Sequence, residues 1–269
     1  VGEALAMHPD VNLISVTGST KVGAEVMGNA SKNITHVMLE LGGNDAFILD
    51  KDGDIDLAVE ELVWGRLYNT GQVCCASKRF LVHKDIKDEF IRKAIAKIST
   101  LRVGMPLDES TDIGCLINEN AAIRVSDQVK ETVSQGANIV VGGRRKGAFF
   151  EPTIIDNVTK DMDVMKDMEI FGPVIPVCTF ENIDEAIEIA NQSSYGLCGC
   201  IFTRDMKNAF KVANSLEVGG AVINGASFFR SAEMPFGGWK HSGIGNEGVS
   251  ITLKEMSRTK TIVLKNILD

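Results

Sequence analysis

No apolar run in this sequence reaches the roughly 18 to 20 residues needed to cross a bilayer, and the opening VGEALAMHPD has no basic stretch followed by an apolar one. Neither a membrane partner nor a secretory leader is expected, and the chain reads as cytoplasmic. Positive charge is also short. Lys and Arg number 28 against 36 Asp and Glu, a formal net charge of −8, and no basic block interrupts the balance. The phosphate attraction on which non-specific nucleic-acid binding rests therefore has no source, and nucleic acid is not expected as a partner. Histidine is sparse and scattered, at positions 8, 36, 83 and 241. The six cysteines have no regular spacing, and the pair Cys198 and Cys200 is too close to bite a metal as C-x-x-C does. The expectation is no metal and no disulfide framework. Repeats, low-complexity segments and long linkers are missing as well.

What is present suits one or two packed domains: 269 residues, of which 44% are hydrophobic and 24% charged. Short β-branched apolar runs alternate with helical patterns, the signature of an α/β fold with a largely parallel sheet. VNLISVTG reads as a buried strand, KVGAEVMGNASK as a helix and ITHVMLELGG as the next strand. RFLVH is strand-like, and Ile86, Phe90, Ala94 and Ile98, with Ile91 and Ile95 beside them, make one apolar helix stripe. Further strands are expected at NIVVGG, CGCIFT and GAVIN, with helices at NIDEAIEIANQS and MKNAFKVANSL. The chain reaches its first strand at once, with no room for the earlier strands of a doubly wound sheet, which leads to the expectation of a fragment.

Three stretches carry chemistry. VTGSTKVG places Gly18, Ser19 and Gly23 where a strand passes into a helix, a position at which backbone N–H groups can meet a phosphate, although turn chemistry alone accounts for the same residues. LELGGN puts an isolated carboxylate, Glu40, at an apolar strand end, before Gly42 and Gly43. Such a group is either a base lining a cleft or a satisfied structural carboxylate. NTGQVCCASKRF sets Cys74 and Cys75 after a Gly-Gln turn, ahead of a small-residue ASK segment expected to begin a helix whose amides would activate a thiol.

Together these stretches resemble one family, the aldehyde dehydrogenases. TGSTKVG looks like its phosphate-side turn, LELGGND its glutamate motif, NTGQVCCA its cysteine motif, EIFGPV its ribose motif and MPFGGWKHSGIG its C-terminal signature, all in order. Glutamate and cysteine are 74 − 40 = 34 residues apart, as the family pattern has them. The resemblance implies NAD or NADP as cofactor and a small-molecule aldehyde as substrate. Counting Gly71, Gln72, Val73, Cys74 makes Cys74 the nucleophile and Cys75 a neighbour that oxidation would join to it only as a strained off-state.

By the same resemblance Glu40 is the base that activates water. Its presence argues for hydrolysis against the alternative of acyl transfer to coenzyme A; a non-catalytic structural fragment is the other alternative. Gly18, Ser19 and Gly23 would border the pyrophosphate, Glu169 would hold the nicotinamide ribose, and Phe171 would lie against the nicotinamide. The Cys74 N–H would be one oxyanion donor, with Asn69 not promoted to the other. Tyr68, Phe228, Arg230 and Phe236 would line the substrate entrance. Wording of the NGASFFRSAEMPFGG loop is similar to succinate-semialdehyde and lactaldehyde enzymes, but Tyr68 stands where the former tend to carry arginine, so the aldehyde stays open.

The implied fold is α/β, an aldehyde dehydrogenase-like catalytic domain with a parallel-sheet core and the tail of a truncated Rossmann-like cofactor domain. Residues 1–42 would be the cofactor-domain remnant and 43–241 the catalytic domain. Residues 242–269 would be a return helix, GVSITLKEM, and an oligomerisation strand, TKTIVLKN, that makes the full-length form a homo-oligomer.

Overall fold

The computed structural model describes residues 1–266. Ten strands and seven helices position the site. The strands are β1 (Leu13–Thr17), β2 (His36–Glu40), β3 (Asp45–Leu49), β4 (Ser77–His83), β5 (Asn138–Val141), β6 (Thr153–Val158), β7 (Val174–Phe180), β8 (Cys198–Phe202), β9 (Gly220–Ile223) and β10 (Gly243–Ile244). The helices are α1 (Thr20–Ala30), α2 (Ile55–Leu62), α3 (Lys87–Ile98), α4 (Glu119–Ser134), α5 (Ile183–Asn191), α6 (Met206–Ser215) and α7 (Val249–Glu255). Most helices start on a side chain that accepts from an orphan amide: Ser19 from Val22, Asp54 from Asp56 and Leu57, Asn118 from Ala121, Asn182 from Glu185, and Asp205 from Lys207 and Asn208.

A seven-stranded sheet has the order β9-β8-β3-β4-β7-β6-β5, parallel throughout except for the β5–β6 pair. Its centre is buried on both faces, as a parallel sheet with helices on each side requires. Alternation along β3 sends Ala46 and Ile48 to the side packed by α4 and α5, and Phe47 and Leu49 to the side packed by α2 and α3. Phe47 is fully buried, with ring centroids 4.8 Å from Phe80 and 4.5 Å from Phe202. The stripe on α3 buries Phe90, Ile91, Ala94 and Ile98, leaving Ile86 and Ile95 partly covered.

A second, three-stranded sheet has the order β1-β2-β10, with β1 and β2 parallel and β10 antiparallel to β2. The C-terminal signature fastens this sheet to the larger one. Fully buried Ser242 accepts from Gly196 N–H through its hydroxyl at 2.9 Å and from Leu41 N–H through its carbonyl at 2.9 Å, while Thr20 donates to the His241 carbonyl. Helix α7 returns to the smaller sheet, where Glu255 lies 2.6 Å from His36 at the start of β2.

One expectation is corrected. The ASK segment does not open a helix: Ala76 precedes β4 and Ser77 and Lys78 are its first residues, both buried. TKTIVLKN, expected to pair with a second copy, forms no strand within this single chain among the described residues, and Ile262, Val263 and Leu264 are exposed. The last residues of that expected unit, 267–269, lie outside the described residues. No helix among the described residues is long and apolar enough to cross a membrane.

Candidate active site

The C-terminal end of β2 and the N-terminal ends of β3, β4 and β7 converge on one region. Glu40 is the last residue of β2, and Gly42 and Gly43 carry the chain across to β3. Both glycines are dictated by space. A Cβ on Gly42 would lie 2.6 Å from Glu169 Oε2, and one on Gly43 would lie 2.8 Å from the Cys74 carbonyl oxygen. The glutamate motif thus threads between the cysteine turn and the ribose motif with backbone alone.

The cysteine turn follows a single π-turn, Val63–Leu67, a form that recurs at functional sites. Asn69, Thr70 and Gly71 then adopt left-handed φ of 49°, 58° and 74° in succession, a strained reversal held by reciprocal Asn69–Gln72 bonds. Gly71 is required twice over, because a Cβ there would also lie 2.4 Å from the Gly172 carbonyl of the ribose motif. Gln72 Oε1 accepts from Ile117 N–H at 2.8 Å.

Cys74 emerges half-buried from this turn and Cys75 is buried beside it, both as free thiols. A hydrogen bond from the Cys75 side chain pulls the Cys74 thiol well below its ordinary value; burial opposes this, and the Lys78 ammonium and the Cys75 N–H assist. The same bond, with burial, holds Cys75 up as a thiol. The Cys74 N–H makes no hydrogen bond among the described residues. Activation therefore comes from Cys75 and a buried lysine rather than from a helix terminus.

Glu40 behaves in the opposite sense. It is 8% exposed, Oε2 is buried without a partner, and its pKa is pushed up to about 8. Burial is the main cause, Glu247 and Cys74 add to it, and Arg230 opposes. A second carboxyl that the sequence did not single out, Asp45, is also pushed up to about 8 by burial, against the pull of Lys78. Its Oδ1 accepts from Cys198 N–H at 3.1 Å.

On the cofactor side, Glu169 Oε1 accepts from Gly43 N–H and lies 3.3 Å from Lys78 Nζ. Phe171 is exposed, its ring centroid 5.8 Å from the same ammonium. A cavity of about 920 Å³ opens here, lined by Asn69, Gln72, Arg124, Gln128, Glu169 and Phe171 among others. The Glu169 carboxylate and the exposed Phe171 face in its lining fit the nicotinamide-ribose end of a dinucleotide. Gly18 and Ser19 sit at the start of α1 next to the glutamate strand, Gly18 N–H donating to the Glu40 carbonyl. Gly23 is a turn further into α1, where its missing side chain makes room for Leu41, 2.7 Å from a built Cβ.

On the opposite side, Tyr68, Phe228 and Trp64 form a triangle with centroids 4.9 to 5.2 Å apart. Trp64 belongs to no motif and was not anticipated; its place four residues before Tyr68, on one face of a helical turn, was the available signal. Arg230 does not point freely at this wall. Its Nη1 donates to Glu247 at 2.7 Å and its guanidinium lies 4.3 Å from the Phe236 ring.

Comparison with known proteins shows the family. A family model described as the aldehyde dehydrogenase family matches residues 1–262. Lactaldehyde dehydrogenase of Methanococcus maripaludis is 41% identical over 267 residues, covering 99% of this chain and 57% of the relative. Betaine aldehyde dehydrogenase from Staphylococcus aureus, solved in complex with NAD+, superposes with a TM-score of 0.92 at 36% identity, over 100% of this chain and 56% of that one. Glyceraldehyde-3-phosphate dehydrogenase GapN from Methanocaldococcus jannaschii, solved with NADP, gives 0.94 at 41% identity, over 99% and 57%. The chain thus spans somewhat more than half the length of these relatives, and over nearly all of its own length it belongs to the aldehyde dehydrogenase family.

Proposed function

We propose that this chain carries the thiol, the base and the nicotinamide-side residues of an NAD(P)-dependent aldehyde dehydrogenase that releases a free acid. The observation behind this reading is a pair of titratable groups in one site driven in opposite directions, Cys74 down and Glu40 up, which divides the work of nucleophile and base between them. Cys74 adds through Sγ to the aldehyde carbon, and the oxyanion that forms faces the unpaired Cys74 N–H. When bound, the cofactor supplies the hydride acceptor, with Glu169 and Phe171 as the residues that would hold it. Once the acyl group sits on Cys74 as a thioester, Glu40 takes a proton from water through its unpartnered oxygen; the hydroxide equivalent attacks the acyl carbon and the Cys74 thiolate leaves. Asp45 and Glu40 keep the surroundings short of net negative charge near neutral pH, which favours a second anion, the thiolate.

The aldehyde itself is a small one that slides past the Trp64, Tyr68 and Phe228 wall. An anionic substrate would have to compete with Glu247 for Arg230. Relatives named for neutral, cationic and phosphorylated aldehydes show that the family tolerates all three. Residues 259–266, with exposed Ile262, Val263 and Leu264, support assembly with a second copy by strand addition.

Ester hydrolysis tests the chemistry without cofactor. The chain should release nitrophenolate from p-nitrophenyl acetate and carry the acetyl group on the Cys74 peptide by mass spectrometry. Turnover that survives Cys74→Ala refutes the assignment.

A further inference from the structure

Lys78 is 1% exposed, yet no motif accounts for it. Its Nζ donates to the Val73 carbonyl at 2.9 Å and to the Cys74 carbonyl, lies 3.3 Å from Glu169 Oε1, and faces the Phe171 ring. It is thus bonded to the nucleophile's own peptide and to the carboxylate expected to hold the ribose. We propose that Lys78 is a positioning residue which fixes the Cys74 turn and adds, to the hydrogen bond from Cys75, a buried positive charge that favours the Cys74 thiolate, with Glu169 as the counter-charge that moderates it. The proposal rests on the reading of Cys74 as nucleophile and deepens it.

The charges facing Cys74 come from every side. Cys75 and Lys78 belong to its own segment, Glu169 to the loop before β7, Glu40 to the end of β2, Asp45 to the start of β3 and Cys198 to β8. Only Lys78 among these is a cation. Glu40, Asp45 and Cys198 are held towards their neutral forms by burial, so the Lys78–Glu169 pair is the charged couple that the thiolate experiences. Three fixed partners on one ammonium leave it little freedom to move away, and a desolvated charge acts on its neighbour far more strongly than one in water.

Opposite signs distinguish this role from simple packing. Iodoacetamide labelling of the 269-residue chain across about pH 5 to 10, read on the Cys74 peptide by mass spectrometry, gives the midpoint of that thiol. Lys78→Met should raise the midpoint by about one unit or more, which is a roughly ten-fold slower labelling at pH values below the wild-type midpoint. Lys78→Arg, which keeps the charge, should leave the midpoint close to that of the wild type. Glu169→Gln should lower it. An unchanged midpoint in Lys78→Met, or shifts of the same sign in Lys78→Met and Glu169→Gln, overturns the proposal. Should Lys78→Met not fold, the other two variants decide: a downward shift in Glu169→Gln with an unmoved Lys78→Arg supports it, and any other pair of results overturns it. Wild-type labelling of Cys115 ahead of Cys74 would sink the nucleophile reading itself, a result distinct from any midpoint shift.

Discussion

Glu40 offers the sharpest test of the proposed division of labour. With a pKa of about 8, it is a base only in the fraction that is ionised. That fraction is about one tenth at pH 7 and about one hundredth at pH 6. Release of the acyl group from Cys74 should therefore slow about ten-fold for each unit below pH 8 and level off above it. Acylation should not follow, because the Cys74 thiol ionises well below an ordinary cysteine. The sign is fixed by the two shifts. A carboxyl moved upward withholds its base as pH falls, while a thiol moved downward keeps its nucleophile. Near pH 6 the acyl-enzyme should accumulate, giving a burst of nitrophenol of about one per Cys74 in quenched flow, before slow turnover. Glu40→Gln should remove the pH dependence of release and slow it by about 10²- to 10⁴-fold above pH 8, the usual contribution of a general base. A release rate that is flat between about pH 6 and 8 in the wild-type chain, or a Glu40→Gln variant that tracks the wild type, would show that another group activates the water.

Arg230→Ala removes a charge that lowers the Glu40 pKa, so the pH at which release reaches half its plateau should rise; Glu247→Gln should move it down, and stopped-flow pH profiles of the two variants would show both signs. Cys75→Ala should keep ester turnover but shift the midpoint of Cys74 labelling upward, because the thiol that hydrogen-bonds Cys74 is gone. Phe47→Ala empties the centre of the Phe80, Phe90 and Phe202 cluster and should cost about 3 to 5 kcal/mol in urea unfolding. A loss below about 1 kcal/mol would mean that the cluster collapses around the gap.

The elements that could be read in the sequence are those whose signal is local. β3 and β4 declare themselves through β-branched and aromatic runs, and α3 through a stripe recurring every three to four residues. Glu40, Cys74 and Glu169 were legible because each stands out chemically within a short motif, and the structure brings all three to one region. The segment ASK misleads for the opposite reason. Its small residues look like a helix start, whereas Ser77 and Lys78 open a strand in which Lys78 and Arg79 are 1% and 3% exposed. Arg79 is tolerated because it donates to carbonyls of Asn44, Met165, Ile189 and Ala190, partners 35 to 111 positions away that no local pattern reveals. Gly23 illustrates a subtler limit. A glycine beside a phosphate-side turn invites a ligand role, while in space it is Leu41 that occupies the room its side chain would take.

Buried cations explain how three loops from separate parts of the chain form one rigid site. Loops at the N-terminal edge of the sheet have carbonyls that no ladder satisfies, and an unpaired buried carbonyl is costly. Arg66, fully buried in the π-turn ahead of the cysteine, donates to the carbonyls of Ile170 and Val174 and so clamps the ribose motif from below. Arg79 clamps the start of β3 in the same way, and Lys78 holds the cysteine turn itself. The fork of an arginine reaches several carbonyls of separate segments at once where a lysine reaches a point, which suits Arg66 and Arg79 to bridging and Lys78 to the crowded cysteine turn. Burial pulls the Arg66 pKa down to about 9 while the charge of Glu169 opposes that pull. The carboxylate of the ribose motif is therefore not an isolated ligand. It is the anion that balances two buried cations, and any change of charge at position 169 acts on the nucleophile turn as well as on the cofactor side.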